Sequence, residues 1–277
     1  MSRIDRAIRE YESLEAMAHK DQWMNRLHPL VKFVVTVLFI ALTVSVGKYN
    51  LAGLLLMAVY PLVMFITGEL SVKEALRRLK IALPLILAVG IFNPLFDRET
   101  VLVVGGIGVS GGVLSMLTLL LKGLLTVLAA YLLVVSTTGE GICHALRLLH
   151  VPGILVTEVL LMNRYILLLL REVKHVSEAY ELRAPGQKGI APKAWGSLTG
   201  QILLRTIDRA REVGESMRLR GFSGEFQHGT PQKIRRTDFF YLAAWTCVLL
   251  LLRFVPLGDL IGRAVTGSLM ILLFPAG

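Results

Sequence analysis

ILVTEVLLMNRYILLLLREVKHVSEAYELR (Ile154–Arg183) and KAWGSLTGQILLRTIDRAREVGESMRLR (Lys193–Arg220) read as two long helices inside a polar stretch, Pro152 to Gly224, that separates hydrophobic runs. In the first, Leu155, Val159, Met162, Ile166, Leu169, Val173, Val176 and Tyr180 recur at steps of four and three, which lays one apolar stripe along a helix. The next step of three lands on Arg183. In the second, Trp195, Thr199, Ile202, Thr206, Ala210, Val213 and Met217 follow nearly the same rule, and the next step lands on Arg220. Pro185-Gly186 stops the first helix and Gly221 the second. A single arginine at a helix C-terminus is ordinary, since the helix dipole favours it by roughly 0.3 to 1 kcal/mol. Two arginines, each closing an apolar stripe just before a break, form a more specific pattern that suits docking on a partner.

The surrounding chain sets the class. Of 277 residues 54% are hydrophobic, and the mean hydropathy of +0.63 exceeds what a soluble single-core domain requires. The expected fold is all-α, a polytopic membrane helix bundle with cytoplasmic coupling helices. The net charge of +10 does not point to nucleic acid, because the basic residues fall between apolar runs, where cytoplasmic loops carry them. Met1 to Arg26 is charged throughout, lacks the pattern of a signal peptide, and is expected in the cytoplasm.

Five spans are expected: His28 to Val46, Leu51 to Thr67, Ile81 to Phe96, Val113 to Ser136 and Phe239 to Val255. Leu260 to Leu273 is a candidate sixth. Pro29 fits a first helical turn, and Lys32 is expected to snorkel to the interface. Lys73, Arg77, Arg78 and Lys80 mark a cytoplasmic loop with a short amphipathic helix, separate from the span that follows. Asp97 to Gly112 reads as a glycine-rich external loop. Lys122, near the middle of the fourth span, is costly in a membrane and is expected to face the bundle interior, with Asn93 as a candidate polar partner. Leu155 to Leu170 is apolar, yet Glu158, Asn163 and Arg164 place polar groups on more than one side. It is therefore read as a helix at the membrane surface or beneath the bundle rather than a span. The chain divides accordingly into 1–136 (N-terminal arm and first four spans), 137–238 (cytoplasmic coupling region) and 239–277 (C-terminal membrane region).

Catalytic and metal chemistry find no support. Gly105-Gly106-Ile107-Gly108 is not a phosphate loop, for no GK[ST] follows it, so ATP hydrolysis is not expected of this polypeptide. Cys143 and Cys247 have no CxxC spacing, and His144 and His150, six positions apart, fall on different helix faces. No HExxH or GxSxG is present. A membrane enzyme built on Lys122, Glu158 and Arg164 would need an acid and a base converging in one pocket, which the sequence does not supply. A self-sufficient secondary carrier is the other rival, and uptake without an ATPase would favour it.

The chain resembles a known family, the transmembrane component of energy-coupling factor transporters, and within it the cobalt-type CbiQ members. The resemblance runs through His28-Pro29-Leu30-Val31-Lys32, Ser136-Thr137-Thr138, Ala145-Leu146, Val151-Pro152, Asn163-Arg164-Tyr165, Glu172, Ala179, Glu181-Leu182-Arg183-Ala184 and Met217-Arg218-Leu219-Arg220-Gly221-Phe222. In that family two Ala-Arg-Gly motifs end the coupling helices, and their arginines contact two ATPase subunits. Leu182-Arg183-Ala184 and Leu219-Arg220-Gly221 correspond by position and differ in flanking residues. The resemblance implies a multi-pass plasma-membrane subunit that joins a pair of ATP-binding cassette ATPases to a separate substrate-binding membrane subunit for cobalt or nickel. It also implies that ATP and magnesium are held by the ATPases, with no cofactor or metal in this chain.

Overall fold

The computed structural model describes residues 3–254 except 21, 49, 97–99, 105–106, 188 and 225–233. The candidate span at Leu260 to Leu273, the charges Asp97, Arg98 and Glu99, and His228 lie outside the described residues. In chain order the elements are α1 (Arg3–Ala18), α2 (Pro29–Ser45), α3 (Leu51–Met57), α4 (Val59–Thr67), α5 (Val72–Gly90), α6 (Asn93–Phe96), β1 (Thr100–Val104) and β2 (Ile107–Ser110). Then follow α7 (Gly111–Ser136), α8 (Gly139–Leu148), α9 (Gly153–Arg183), α10 (Pro192–Leu219) and α11 (Arg236–Phe254). The protein is an all-α membrane helix bundle with one small hairpin. Its contacts form two compact units, Met1–Lys20 with Thr137–Gln232, and Asp21–Ser136 with Lys233–Gly277.

The second unit is the apolar bundle. Its core runs through Val31, Val35 and Phe39 of α2, Leu54 and Met57 of α3, Tyr60 of α4, Leu125, Ala129 and Leu132 of α7, and Tyr241 and Leu249 of α11. Tyr60 lies 4.6 Å from the Phe39 ring and meets Trp245 edge-on at 4.8 Å. Small residues let helices approach: a Cβ on Gly123 of α7 would meet Ile86 Cδ1 of α5 at 2.5 Å. By length and composition α7, α9 and α11 are each sufficient to cross a bilayer, and Pro29–Ser45 and Leu51–Thr67 are shorter apolar stretches.

The bundle departs from the sequence reading in five places. The basic amphipathic segment and the first ten residues of the third span are one helix, α5, which runs through Pro84, as apolar helices tolerate when neighbours satisfy the freed backbone, while the span's end is the separate α6. The second span breaks at Ala58, because Pro61 has no N–H for the Met57 carbonyl four positions earlier. The loop expected to be external contains an antiparallel hairpin, pairing Val104 with Ile107 and Thr100 with Ser110. Lys32 does not snorkel: it is 3% exposed and donates to the Ser136 carbonyl at the end of α7. Lys122 and Asn93 do not pair either. Lys122 Nζ donates to the Val44 carbonyl at 2.9 Å and to that of Val46, capping the end of α2, while Asn93 Nδ2 donates to Ser115 Oγ at 3.2 Å. The last carbonyls of a helix have no intrahelical partner, so an ammonium beside them is better satisfied there than by a neutral amide. Arg253 completes the cap by donating to the Ser45 carbonyl at 2.9 Å.

Candidate functional site

The site lies in the first unit, on α9 and α10. α9 starts just after a sharp turn: His150, at φ +62°, takes the left-handed position that ends α8, and its N–H donates to the Arg147 carbonyl at 3.0 Å. That turn folds α9 back against α8. Thr138 caps α8 by accepting the Gly141 N–H at 3.1 Å. A Cβ on Gly139 beside it would run into the side-chain amide of Asn163 of α9, which would have to shift. Asn163 is held in turn by Tyr11 of α1, whose hydroxyl donates to the Asn163 carbonyl at 3.2 Å and contacts its side-chain oxygen. Burial, with Glu15 nearby, raises the Tyr11 pKa and keeps the hydroxyl a donor. α1 is further fastened by ion pairs of Glu12 with Arg171 at 3.1 Å and Asp5 with Lys174 at 2.6 Å. The contacts thus gather the N-terminal arm with the polar region, whereas the linear division grouped it with the first spans.

α9 and α10 have the lengths that their stripes imply, and the stripes converge. Val159, Met162, Ile166 and Leu169 of the first face Thr206, Ala210, Val213 and Met217 of the second across one open groove of about 1280 Å³. The stripes do not close on each other: Met162 is 71% exposed. Arg205 reaches from α10 to Glu172 of α9 in an ion pair.

The two arginines stand at differently built helix ends. α10 ends in a Schellman motif: the Gly221 N–H donates to the Arg218 carbonyl and the Phe222 N–H to the Met217 carbonyl, both at 3.0 Å, with Gly221 at φ +81°. Arg220 is the C-cap residue and is exposed, beside Leu219 at 89% exposure. At the end of α9 the C-cap Ala184, at φ −124°, keeps an ordinary backbone, and the left-handed turn waits for Gly186 at φ +87°. Tyr180, the last residue of the first stripe, fixes that loop, donating to Gln187 Oε1 at 3.0 Å and accepting the Ala191 N–H at 3.3 Å. Arg183 is exposed, beside Leu182 at 84% exposure. Among the described residues neither arginine has an acidic partner within 4 Å.

A second, more polar cavity of about 650 Å³ adjoins the end of α10, and Arg164, Arg209 and Arg220 share its wall. Spacing alone did not single out Arg164 for this position, nor Tyr11, Tyr180 and Asn163 for theirs, because each depends on a contact between distant elements. Metal ligation finds no site among the described residues, where no three of His, Cys, Asp and Glu come together. Cys143 is buried in α8, and burial with Glu140 nearby raises its thiol pKa, so it is not a reactive thiolate.

An apolar helical bundle with helices long and apolar enough to cross a bilayer defines an integral membrane protein. The chain belongs to the CbiQ family of cobalt transport proteins, whose profile matches residues 20–231. Over 134 residues it is 26% identical to an uncharacterized protein of Methanocaldococcus jannaschii, covering 47% of this chain and 46% of that one. Over 119 residues it is 27% identical to the nickel permease LarQ of Lactiplantibacillus plantarum, covering 43% and 44%. The chain spans less than half the length of each of these relatives.

Proposed function

We propose that this chain is the membrane scaffold of an ATP-driven, energy-coupling-factor type uptake transporter for cobalt or nickel ions. It couples two ATP-binding cassette ATPases, which hold ATP and magnesium, to a separate substrate-binding membrane subunit. The observation that carries the reading is the pair of exposed arginines, Arg183 and Arg220, at the ends of two long helices of one unit. An exposed guanidinium beside a helix end is positioned for a bidentate, charge-assisted bond to a partner's carboxylate. Family membership and a nickel permease among the relatives support the transported ion's class. On this reading α9 lies at the cytoplasmic membrane surface rather than across the bilayer, since Glu158 and Arg164 are exposed within its apolar half. The N-terminus lies in the cytoplasm of a plasma-membrane protein.

The test substitutes Arg183→Glu, Arg220→Glu, and both, with Lys193→Glu at the exposed start of α10 as control. ATPase co-purification and ATP-dependent cobalt and nickel uptake are measured. Each single change is expected to impair coupling and the double change to release the ATPases, because breaking one side of a buried charge pair costs about 2 to 5 kcal/mol. Full ATPase retention and uptake in the double variant would refute the reading.

A further inference from the structure

The two arginine ends differ in what surrounds them, and the difference lies in the polar cavity. Its wall is built from both long helices: α9 supplies Arg164, α10 supplies Arg209, Glu212 and Met217, and the C-cap Arg220 and Phe222 follow just beyond α10. The Schellman turn explains why Phe222 is there, because its N–H is tied back to the Met217 carbonyl. Three arginines thus line one cavity whose wall carries, among the described residues, a single carboxylate, Glu212, which lies 3.5 Å from Arg209. Arg164 and Arg220 have no acidic partner within 4 Å among the described residues. Two of the cavity's positive charges thus stand without an acidic partner among the described residues. Arg183 is nineteen positions beyond Arg164 on α9, about 28 Å at 1.5 Å per residue, too far to share it.

We propose that Arg164 and Arg209 form with Arg220 a composite basic pocket that receives two carboxylates of the ATPase docked at the end of α10. Arg183 meets its ATPase as a single cation. The proposal rests on the coupling reading above and adds to it a residue of α9 that touches the partner of α10. Two carboxylates match the uncompensated charge, and the planar forks favour carboxylate oxygens taken in pairs. Met217 and Phe222 supply apolar wall for the methylene stems of acidic side chains.

The experiment uses the complete complex, purified from its own membranes with the ATP-binding cassette subunits that accompany the unmodified chain. Arg164→Gln, Arg220→Gln, the pair of them, and Arg183→Gln are compared for ATPase retention over a salt series. Arg164→Gln is expected to weaken retention about tenfold or more, as removal of one member of a close charge pair does. The pair should be clearly worse than either single change, because each arginine that is lost leaves a different carboxylate of the ATPase without its partner. Glu212→Gln, which frees Arg209, should strengthen retention. A gain of that kind cannot come from misfolding. Arg164→Gln and Glu212→Gln variants that retain their ATPases like the unmodified chain, while Arg220→Gln loses one, would overturn the composite pocket and leave the coupling reading standing. Full retention in both Arg183→Gln and Arg220→Gln would overturn the coupling reading itself, and the composite pocket with it.

Discussion

Asp238 joins its own helix start to that of His28 across 210 positions of sequence: Oδ1 accepts the His28 N–H at 2.9 Å, and Oδ2 accepts the Arg235 N–H at 2.7 Å. The carboxylate is 2% exposed. One turn into α2, buried Lys32 holds the last carbonyl of α7, so three helix ends of the bundle meet in a single buried polar cluster. Asp238→Asn replaces one acceptor oxygen by a donor that opposes an N–H. It is expected to destabilise the bundle by about 1 to 3 kcal/mol, the cost of a buried group left unmatched. Thermal unfolding of the detergent-solubilised protein measures this, and an unchanged midpoint would contradict the assignment.

Gly139→Ala tests the junction of α8 and α9. A methyl there drives Asn163 away from Tyr11, and overpacking of this kind costs about 1 to 3 kcal/mol. With Asn163→Ala already in place the same methyl has room, so its cost should fall close to zero. A double-mutant cycle on stability reads the difference. Equal costs in the two backgrounds would mean that the contact is not what requires glycine.

Gly221 is required by its backbone. Nothing lies within 4 Å of a Cβ built on it, yet its φ is +81°. Gly221→Ala should therefore cost about 1 to 2 kcal/mol through conformation alone and turn Arg220 away from its cavity, lowering ATPase retention. Gly214→Ala, inside the same helix and equally unobstructed, should stabilise α10 by up to about 1 kcal/mol. If the two substitutions behave alike in circular dichroism and in retention, the left-handed turn has no role in holding Arg220.

Topology can be read by labelling. With Cys143 and Cys247 replaced by serine, Lys73→Cys in α5 and Gln187→Cys in the α9–α10 loop are exposed positions. Both should resist an impermeant thiol reagent in intact cells and react after permeabilisation, as basic cytoplasmic segments require. Labelling of Gln187→Cys in intact cells would place the long helices' ends outside.

Local pattern showed what local forces decide. The stripes of α9 and α10 and their stops at Gly186 and Gly221 were legible because periodicity and the left-handed preference of glycine act within a few residues. Pro29 at the start of α2 was legible for the same reason. The hairpin was partly written in the β-branched run Thr100 to Val104 ahead of Gly105-Gly106, a composition of strand and tight turn whose glycines alone suggest a loop. The ammonium of Lys122 was legible as a problem but not as a solution, because no local rule says which helix end will lie beside it. The place of α1 was not legible either: Met1 to Arg26 read only as a charged arm, and the partners of Tyr11 and Glu12, more than 150 positions away, depend on the packed whole.

The helix that bears Arg183 is held within its unit by side chains of α1, about 150 or more positions earlier in the sequence. Residues 137–232 are consecutive, yet the segment that carries α1 completes the same unit, so the long segment is not expected to transplant alone. An exchange of this region between two relatives would leave Arg171 and Lys174 facing a foreign arm in place of Glu12 and Asp5. Chimeras that carry both pieces together should mature normally where those that carry the long segment alone do not. The same linkage predicts that substitutions at the extreme N-terminus and along α9 accumulate in matched pairs.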